Sequence, residues 1–163
     1  MNQQEFNSKL QQGFISEGVS SFIFNIFLLA IIPAIGEELF FRGILQNICI
    51  GLFKNRRTGI IITSLLFGIL HFQIENLLSI IFASILLGYI YDYSKNILIT
   101  VILHLGFNSF SLFCMQGIKS GYFNENQLNL LGNYFMIPLG ILILLYMINK
   151  KKFWKKDLLF PVD

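Results

Sequence analysis

The chain has 163 residues, of which 55% are hydrophobic and 13% charged, and its mean hydropathy is +0.66. This composition excludes an ordinary soluble domain of that size and favours a membrane protein without a second, soluble domain. The net charge of +3 does not indicate a nucleic-acid partner, because most basic residues lie in short clusters beside apolar stretches, where they are typical of topology signals.

Hydrophobic segments follow one another along the chain. Five are predicted, over about 20–50 (broken by Pro33), 58–72, 76–92, 97–117 and 130–149. Short polar connections between them suit antiparallel neighbours in a bundle. The sequence therefore predicts an all-α fold, a polytopic transmembrane helical bundle of about five spans. For the first segment, a break at Pro33 that leaves an interfacial or re-entrant piece over 21–32 is an alternative.

This organisation divides the chain into three parts. They are a polar N-terminal segment over 1–19, a transmembrane core over 20–149 and a basic tail over 150–163. Cys49 and Cys114 both lie in apolar sequence and form no C-x-x-C pair, so we interpret them as small buried hydrophobic residues.

Basic residues divide unevenly between the two ends of the predicted spans. Only Lys9 and Lys119 fall on one side. Nine fall on the other: Lys54, Arg56, Arg57, Lys95, Lys150, Lys151, Lys152, Lys155 and Lys156. The positive-inside rule makes the side with nine cytoplasmic. The predicted location is the cell membrane, multi-pass, with the C-terminal tail in the cytoplasm and the N-terminus outside.

Three charged residues lie inside the first apolar segment, in "PAIGEELFFRGIL". A charge at the bilayer centre costs about 2.5–3.5 kcal/mol on insertion scales, so these side chains must face protein or water. Glu38 and Arg42 share one helix face and can pair, whereas Glu37 is rotated by about 100° and can point elsewhere. The segment alone fits a packing salt bridge and a functional carboxylate equally well.

The two histidines favour function. His71 ends the second segment and His104 lies in the fourth, with Asn108 one helical turn further on. At 1.5 Å per residue, these three residues and Glu37 lie between about 10 and 24 Å from the cytoplasmic ends of their segments, so they can meet in one cavity.

A carboxylate, two imidazoles and a carboxamide are the parts of a hydrolytic site. Glu37 can take a proton from an attacking water and return it to a leaving amine, and imidazole can hold the water or bind a metal. His104 and Asn108 can donate hydrogen bonds to an oxyanion. No serine has the context of an activated nucleophile, so Ser64, Ser79, Ser84 and Ser109 are interpreted as packing or backbone-bonded residues. The zinc-protease pattern H-E-x-x-H is absent from the sequence.

Three patterns in this order, "EELFFR", "FGILH" and "HLGFN", resemble the E-E-x-x-x-R, F-x-x-x-H and H-x-x-x-N motifs of the CPBP family. These are the CAAX-protease and bacteriocin-processing intramembrane proteases, also called Abi-type. The resemblance covers about residues 30–115. It implies an endopeptidase that cuts a membrane-associated protein or peptide precursor within or beside the lipid bilayer, with no nucleic-acid partner, and it looks more like a bacterial member.

By position, the resemblance makes Glu37 the general base and His71 its partner. His104 and Asn108 would stabilise the oxyanion, and Glu38 and Arg42 would orient and balance Glu37. It leaves the cofactor open, because Glu37, His71 and His104 fit three zinc ligands as readily as a metal-free glutamate site.

Two other functions are compatible with the same residues. A non-catalytic protein of bacteriocin self-immunity, or another partner-binding membrane protein, would keep the motifs and survive loss of Glu37 or His71. A transporter or proton relay would use the intramembrane Glu and His to carry protons, and it predicts inverted repeats or a second Glu/His set, neither of which the sequence shows.

Overall fold

Four long helical stretches make up the computed structural model, which describes residues 19–74, 76–122, 124 and 126–127. They are α1 over residues 19–53, α2 (Arg56–Leu70), α3 (Leu77–Ser94) and α4 (Ile97–Lys119). α1, α3 and α4 are long and apolar enough to cross a membrane, and no strand occurs in these ranges, which confirms the predicted all-α membrane bundle. The apolar segment predicted over 130–149, the polar segment before residue 19 and the basic tail lie outside the described residues.

α1 continues through Pro33, so the predicted break there is wrong. It alternates α-helical and π-helical turns, in the order Val19–Ile26 (α), Phe27–Ile31 (π), Ile32–Glu38 (α), Leu39–Leu45 (π) and Gln46–Phe53 (α). The wide π turn directly before Pro33 relieves the clash that its ring would otherwise make with the preceding turn. The second π turn follows Glu38 and contains Arg42, and π turns inside α-helices often accompany functional sites.

α2 is too short to cross the hydrocarbon core. Its 15 residues span about 22 Å, against a core about 30 Å thick. With Arg56 at a membrane surface, the other end of α2 stops inside the membrane, where His71 is its C-cap and Phe72 follows with a positive φ of 51°. Non-helical backbone at that depth is tolerated only where protein covers it or where it lines a water-filled cavity.

The distribution of polar and apolar side chains differs from that of a soluble protein. Large apolar residues point outward, among them Phe24, Leu52, Leu78, Leu98 and Ile102. Apolar residues such as Ala30, Ile60 and Leu87 are buried too, but they share the interior with many polar and charged residues, including Asn25, Glu38, Arg42, Gln46, Thr63, Ser64, Ser84, Asp92, Thr100 and His104. Such a bundle needs a hydrocarbon solvent around it and internal partners for its polar groups.

Two turns of the same sequence, Lys-Asn, join α1 to α2 and α3 to α4. Lys54 and Lys95 both adopt the left-handed conformation after the preceding helix, and Asn55 caps α2 by accepting a hydrogen bond from the Thr58 N–H. Asn96 caps α4 through the Leu98 N–H.

Asp92 links these two turns. It is buried near the end of α3 and forms ion pairs with Arg56 and Lys95. The basic residues of both turns therefore lie at one end of the bundle, as the sequence predicted. Which side of the membrane this end faces remains a prediction.

α2 packs between the C-terminal half of α1 and α3, whereas α4 contacts the middle of α1 and α3. The close approach of α2 to α1 and α3 depends on two glycines of α2. A Cβ added at Gly59 would lie 2.6–2.9 Å from side-chain and backbone atoms of Ile50, and one at Gly68 would lie 2.4 Å from Ile81 Cγ1. These two contacts bring α2 against both neighbours.

Gly59→Ala is expected to destabilise the bundle by about 1–3 kcal/mol, because the backbone of Ile50 cannot move away without separating α1 from α2. Gly106→Ala is the matched control: it also lies in a helix, but no atom lies within 4 Å of its added Cβ. That change should be neutral or stabilising by up to about 1 kcal/mol. The free energy of unfolding from an SDS titration in detergent measures both, and equal effects would contradict this account of the α1–α2 contact.

Candidate active site

The charged pair predicted on α1 is present and fully buried. Arg42 Nη1 lies 3.1 Å from Glu38 Oε1, and the exposed fractions of the two side chains are 1% and 0%. Glu37, the next residue, is rotated away from this pair and remains partly exposed at 30%. One of the two carboxylates is thus paired with Arg42 inside the protein, and the other is partly exposed.

His104 of α4 joins the buried pair. Its Nδ1 lies 2.9 Å from Glu38 Oε1, and Nε2 lies 3.7 Å from Glu37 Oε2. An ionised carboxylate only accepts hydrogen bonds. Nδ1 therefore carries a proton and donates a hydrogen bond to Glu38. In the neutral ring, Nε2 therefore carries the lone pair, 3.7 Å from Glu37 Oε2.

His71 reaches the same carboxylate from the end of α2. Its Nδ1 lies 2.7 Å from the backbone oxygen of Phe67, one turn earlier, and Nε2 lies 3.6 Å from Glu37 Oε2. Since a carbonyl oxygen only accepts, this ring also carries its proton on Nδ1. In the neutral ring, the lone pair is therefore on Nε2, the nitrogen nearer to Glu37.

Three acceptor atoms therefore converge without a donor among them. Glu37 Oε2 is buried and has no hydrogen-bond partner within the described residues, although both Nε2 atoms are near it. Acceptors at such distances repel unless a proton or a donor lies between them. The arrangement is suited to a water molecule or a shared proton among Glu37, His71 and His104.

The same three side chains form the N,N,O donor set considered for zinc. Among the residues that the structure describes, however, no group of three or more His, Cys, Asp and Glu side chains has the arrangement of a metal site. The separations of 3.6 and 3.7 Å from Glu37 Oε2 place the two imidazoles around the carboxylate. We assign no catalytic step to a metal, and zinc remains a prediction for direct metal analysis.

Solvent exposure differs among the five side chains of this cluster, which are Glu37, Glu38, Arg42, His71 and His104. Glu37 and His71 are 30% and 25% exposed, whereas His104 is 8% exposed and the Glu38–Arg42 pair is buried. A reactant that enters the site thus meets Glu37 and His71 first. Glu38, Arg42 and His104 lie behind them, where they can orient the exposed side chains and balance their charge.

Aromatic rings of Phe41 and Phe67 form one wall of the site. Phe67 lies under the Arg42 guanidinium, 5.0 Å from ring centroid to Cζ, and it contacts the rings of both histidines. Phe41 packs edge-on against Phe67, with a centroid distance of 4.8 Å. Phe67, conspicuous in the sequence only by its spacing from His71, therefore contacts the side chains of three site residues.

Asn108 is the one predicted site residue that the structure does not bring into contact with the others. It is half-buried on α4, one turn beyond His104, and no hydrogen bond within the described ranges involves it. Its carboxamide lies on the helix that carries His104 but has no contact that assigns it a role. Its function as an oxyanion donor stays a prediction.

Sequence reasoning missed two side-chain contacts between α1 and α3. Arg42 Nη2 donates to Ser84 O and Ser84 Oγ, and Gln46 Nε2 donates to Gly88 O. The sequence predicts only packing or a backbone hydrogen bond for Ser84, whereas its Oγ accepts from Arg42. The signal in the sequence was a matched spacing, because Arg42 and Gln46 are separated by four residues, as are Ser84 and Gly88.

The cysteines agree in part with their interpretation as small buried residues. Cys49 is buried and Cys114 is partly exposed, and both are free thiols. Neither lies among the residues of the candidate site.

Comparison with known proteins gives one match. The family model of type II CAAX prenyl endopeptidases, Rce1-like, matches residues 19–110, which is more than half of the chain and includes all six predicted site residues. No curated protein and no solved structure matches the chain. The matched range begins with α1 and ends after Asn108, so it contains the whole cluster around Glu37. On this evidence the chain belongs to the Rce1-like family of type II CAAX prenyl endopeptidases, a family of membrane proteases.

Proposed function

We propose that this protein is an intramembrane endopeptidase that hydrolyses a peptide bond of a membrane-associated protein or peptide precursor. The observation that supports this most directly is the convergence of Glu37, His71 and His104 on one point. The buried Glu38–Arg42 pair could pack the helices without Glu37 or either Nε2 atom, because these lie outside that pair. A hydrolase needs such a point, because it must bind and deprotonate a water molecule there.

Glu37 acts as the general base. A water molecule bound between its Oε2 and the Nε2 of His71 attacks the carbonyl carbon of the scissile bond and gives its proton to Glu37. His71 accepts a hydrogen bond from this water and holds it in line, and its own orientation is fixed by the Phe67 carbonyl. Both residues are on the accessible side of the cluster, where substrate and water arrive.

Charge balance gives His104 its role. Two ionised glutamates and one guanidinium leave the cluster with one negative charge, which one additional proton neutralises. On His104, between Glu38 and Glu37, that proton turns Nε2 into a donor for the oxyanion of the tetrahedral intermediate. The carboxamide of Asn108, one turn further on, is the proposed second donor.

Collapse of the intermediate completes the reaction. The C–N bond breaks, Glu37 returns its proton to the leaving amine, and the attacking water oxygen remains on the new carboxyl group. One water is consumed for each peptide bond cut. Glu38 and Arg42 supply opposite charges behind the site and take no proton in this scheme.

Cleavage by the purified protein in detergent micelles tests the proposal. The substrates would be a library of apolar peptides together with a prenylated peptide ending in a C-a-a-X sequence, the class that the family's name indicates. We expect at least one substrate to be cut by the wild type and none by Glu37→Ala. Undiminished cleavage by Glu37→Ala would place the active site elsewhere, and a folded wild type that cuts neither class would count against a peptidase.

Metal content decides the cofactor on the same sample. A metal-free glutamate mechanism predicts activity that survives chelation and substoichiometric zinc by elemental analysis. Stoichiometric zinc that is lost in the His71→Ala variant, together with activity abolished by chelation, would instead make Glu37, His71 and His104 ligands.

A further inference from the structure

Ser84 lies on α3, outside the three sequence motifs, yet it forms hydrogen bonds with a buried charge of the site. Arg42 Nη2 donates to the backbone oxygen and to Oγ of Ser84, both at 3.1 Å. The serine side chain is 1% exposed, so water does not replace it as an acceptor. Hydrogen bonds from a charged donor are among the stronger ones in proteins.

The other contacts of Arg42 fix its orientation less firmly. Nη1 is close enough to Glu38 for an ion pair at 3.1 Å, but neither Nη1 nor Nε has an aligned hydrogen bond to any described residue. Coulomb attraction favours a short separation without defining the plane of a guanidinium. The two bonds to Ser84, with the Phe67 ring against the guanidinium, do define that plane.

The orientation of Arg42 affects His104 through one shared atom. Glu38 Oε1 lies 3.1 Å from Arg42 Nη1 and accepts the hydrogen bond from His104 Nδ1 at 2.9 Å. Rotation of the guanidinium would move the positive charge away from Oε1 and weaken its hold on this buried carboxylate. The Nδ1 hydrogen bond orients the imidazole. If that bond weakened, His104 Nε2 would be held less firmly near Glu37.

We propose that Ser84 is a positioning residue for His104, acting through Arg42 and Glu38. Its effect on catalysis rests on the proposed function, whereas its effect on the imidazole does not. Removing the hydroxyl leaves only the backbone oxygen of residue 84 as an acceptor, so the guanidinium loses one of its two directed bonds. The result is a looser His104 ring with little change in the rest of the bundle.

Nitrogen-15 NMR of the histidine rings tests this proposal without an activity assay. The chain has two histidines, so the ring spectrum is simple, and a His71→Gln variant assigns it. In Ser84→Ala we expect the ring signals of His104 to shift or broaden. Those of His71 should stay in place, because its Nδ1 is bound to the Phe67 carbonyl.

Gln46→Met is the matched control. It removes a buried hydrogen bond between the same two helices, one turn away, without touching Arg42, and it should leave the His104 signals unchanged. Arg42→Lys is the second variant, because a lysine keeps the charge but has one nitrogen and cannot contact Ser84 and Glu38 through separate nitrogens as Nη2 and Nη1 do; it should reproduce the His104 change. Unchanged His104 signals in Ser84→Ala and in Arg42→Lys, or an equal change in Gln46→Met, would overturn the proposal.

Kinetics on the same variants separate this inference from the proposed function. Ser84→Ala should lower kcat about 10-fold with KM nearly unchanged, because the loss falls on an interaction made in the transition state. Adding it to Arg42→Lys should lower kcat no further. A moved His104 signal with an unchanged kcat would support the positioning role of Ser84 and count against His104 as an oxyanion donor.

Discussion

Glu37→Gln is expected to lower kcat by about 10²–10⁴-fold, the range for removal of a general base. The carboxamide has the size and shape of the carboxylate but cannot accept the proton of the attacking water. Its NH2 group can donate toward His71 Nε2, and its carbonyl oxygen can accept from His104 Nε2 when that nitrogen carries a proton; these two nitrogens lie 3.6 and 3.7 Å from Glu37 Oε2. The variant should therefore fold at least as well as the wild type, and the loss can be assigned to chemistry.

Asp92→Asn is the control for Glu37→Gln. Asp92 is also a buried carboxylate, but its partners are Arg56 and Lys95 at the end of the bundle, away from the histidines. Its amide variant should retain wild-type kcat within about twofold, because it removes a structural charge only. Similar losses in both variants would mean that the assay reports the integrity of the bundle, and Glu37 would lose its assignment as the base.

The sequence carried enough information to predict most of the cluster. Helical periodicity separates Glu37 from the Glu38–Arg42 pair, and depth along each segment places both histidines near the same level. These two regularities hold for any straight helix in a bilayer. In the structure the imidazoles of His71 and His104 lie within 4 Å of Glu37, whereas Asn108, predicted at the same level, forms no hydrogen bond within the described residues.

Other features could not be predicted because they depend on local geometry. A π turn has no residue signature of its own, so the sequence predicts a break at Pro33, whereas the structure continues the helix through a wide π turn over Phe27–Ile31. The tautomers of the two histidines follow from hydrogen bonds to Glu38 and Phe67, which no spacing reveals. The contact of Ser84 with Arg42 joins positions 42 residues apart.

The buried charges of the site also bear on stability, in a way that can be separated from catalysis. Glu38→Leu is expected to destabilise the protein by about 3–5 kcal/mol, because it leaves Arg42 buried and unpaired, and arginine does not lose its proton. Asp92→Leu is the comparison: Asp92 is buried as well, but its partners Arg56 and Lys95 are 11% and 40% exposed and can regain water, so the cost should be smaller than that of Glu38→Leu. SDS titration in micelles measures both.

The double variant Glu38→Leu/Arg42→Met removes both charges together. A buried ion pair replaced by apolar residues of similar volume is often neutral or stabilising, so the free energy of unfolding should return to within about 1 kcal/mol of the wild type. Cleavage should nevertheless remain low, because His104 Nδ1 would lose its acceptor and the ring its orientation. A stable and fully active double variant would show that the pair only packs the bundle. A stable and inactive one would show that the two charges are kept in the membrane because they orient His104.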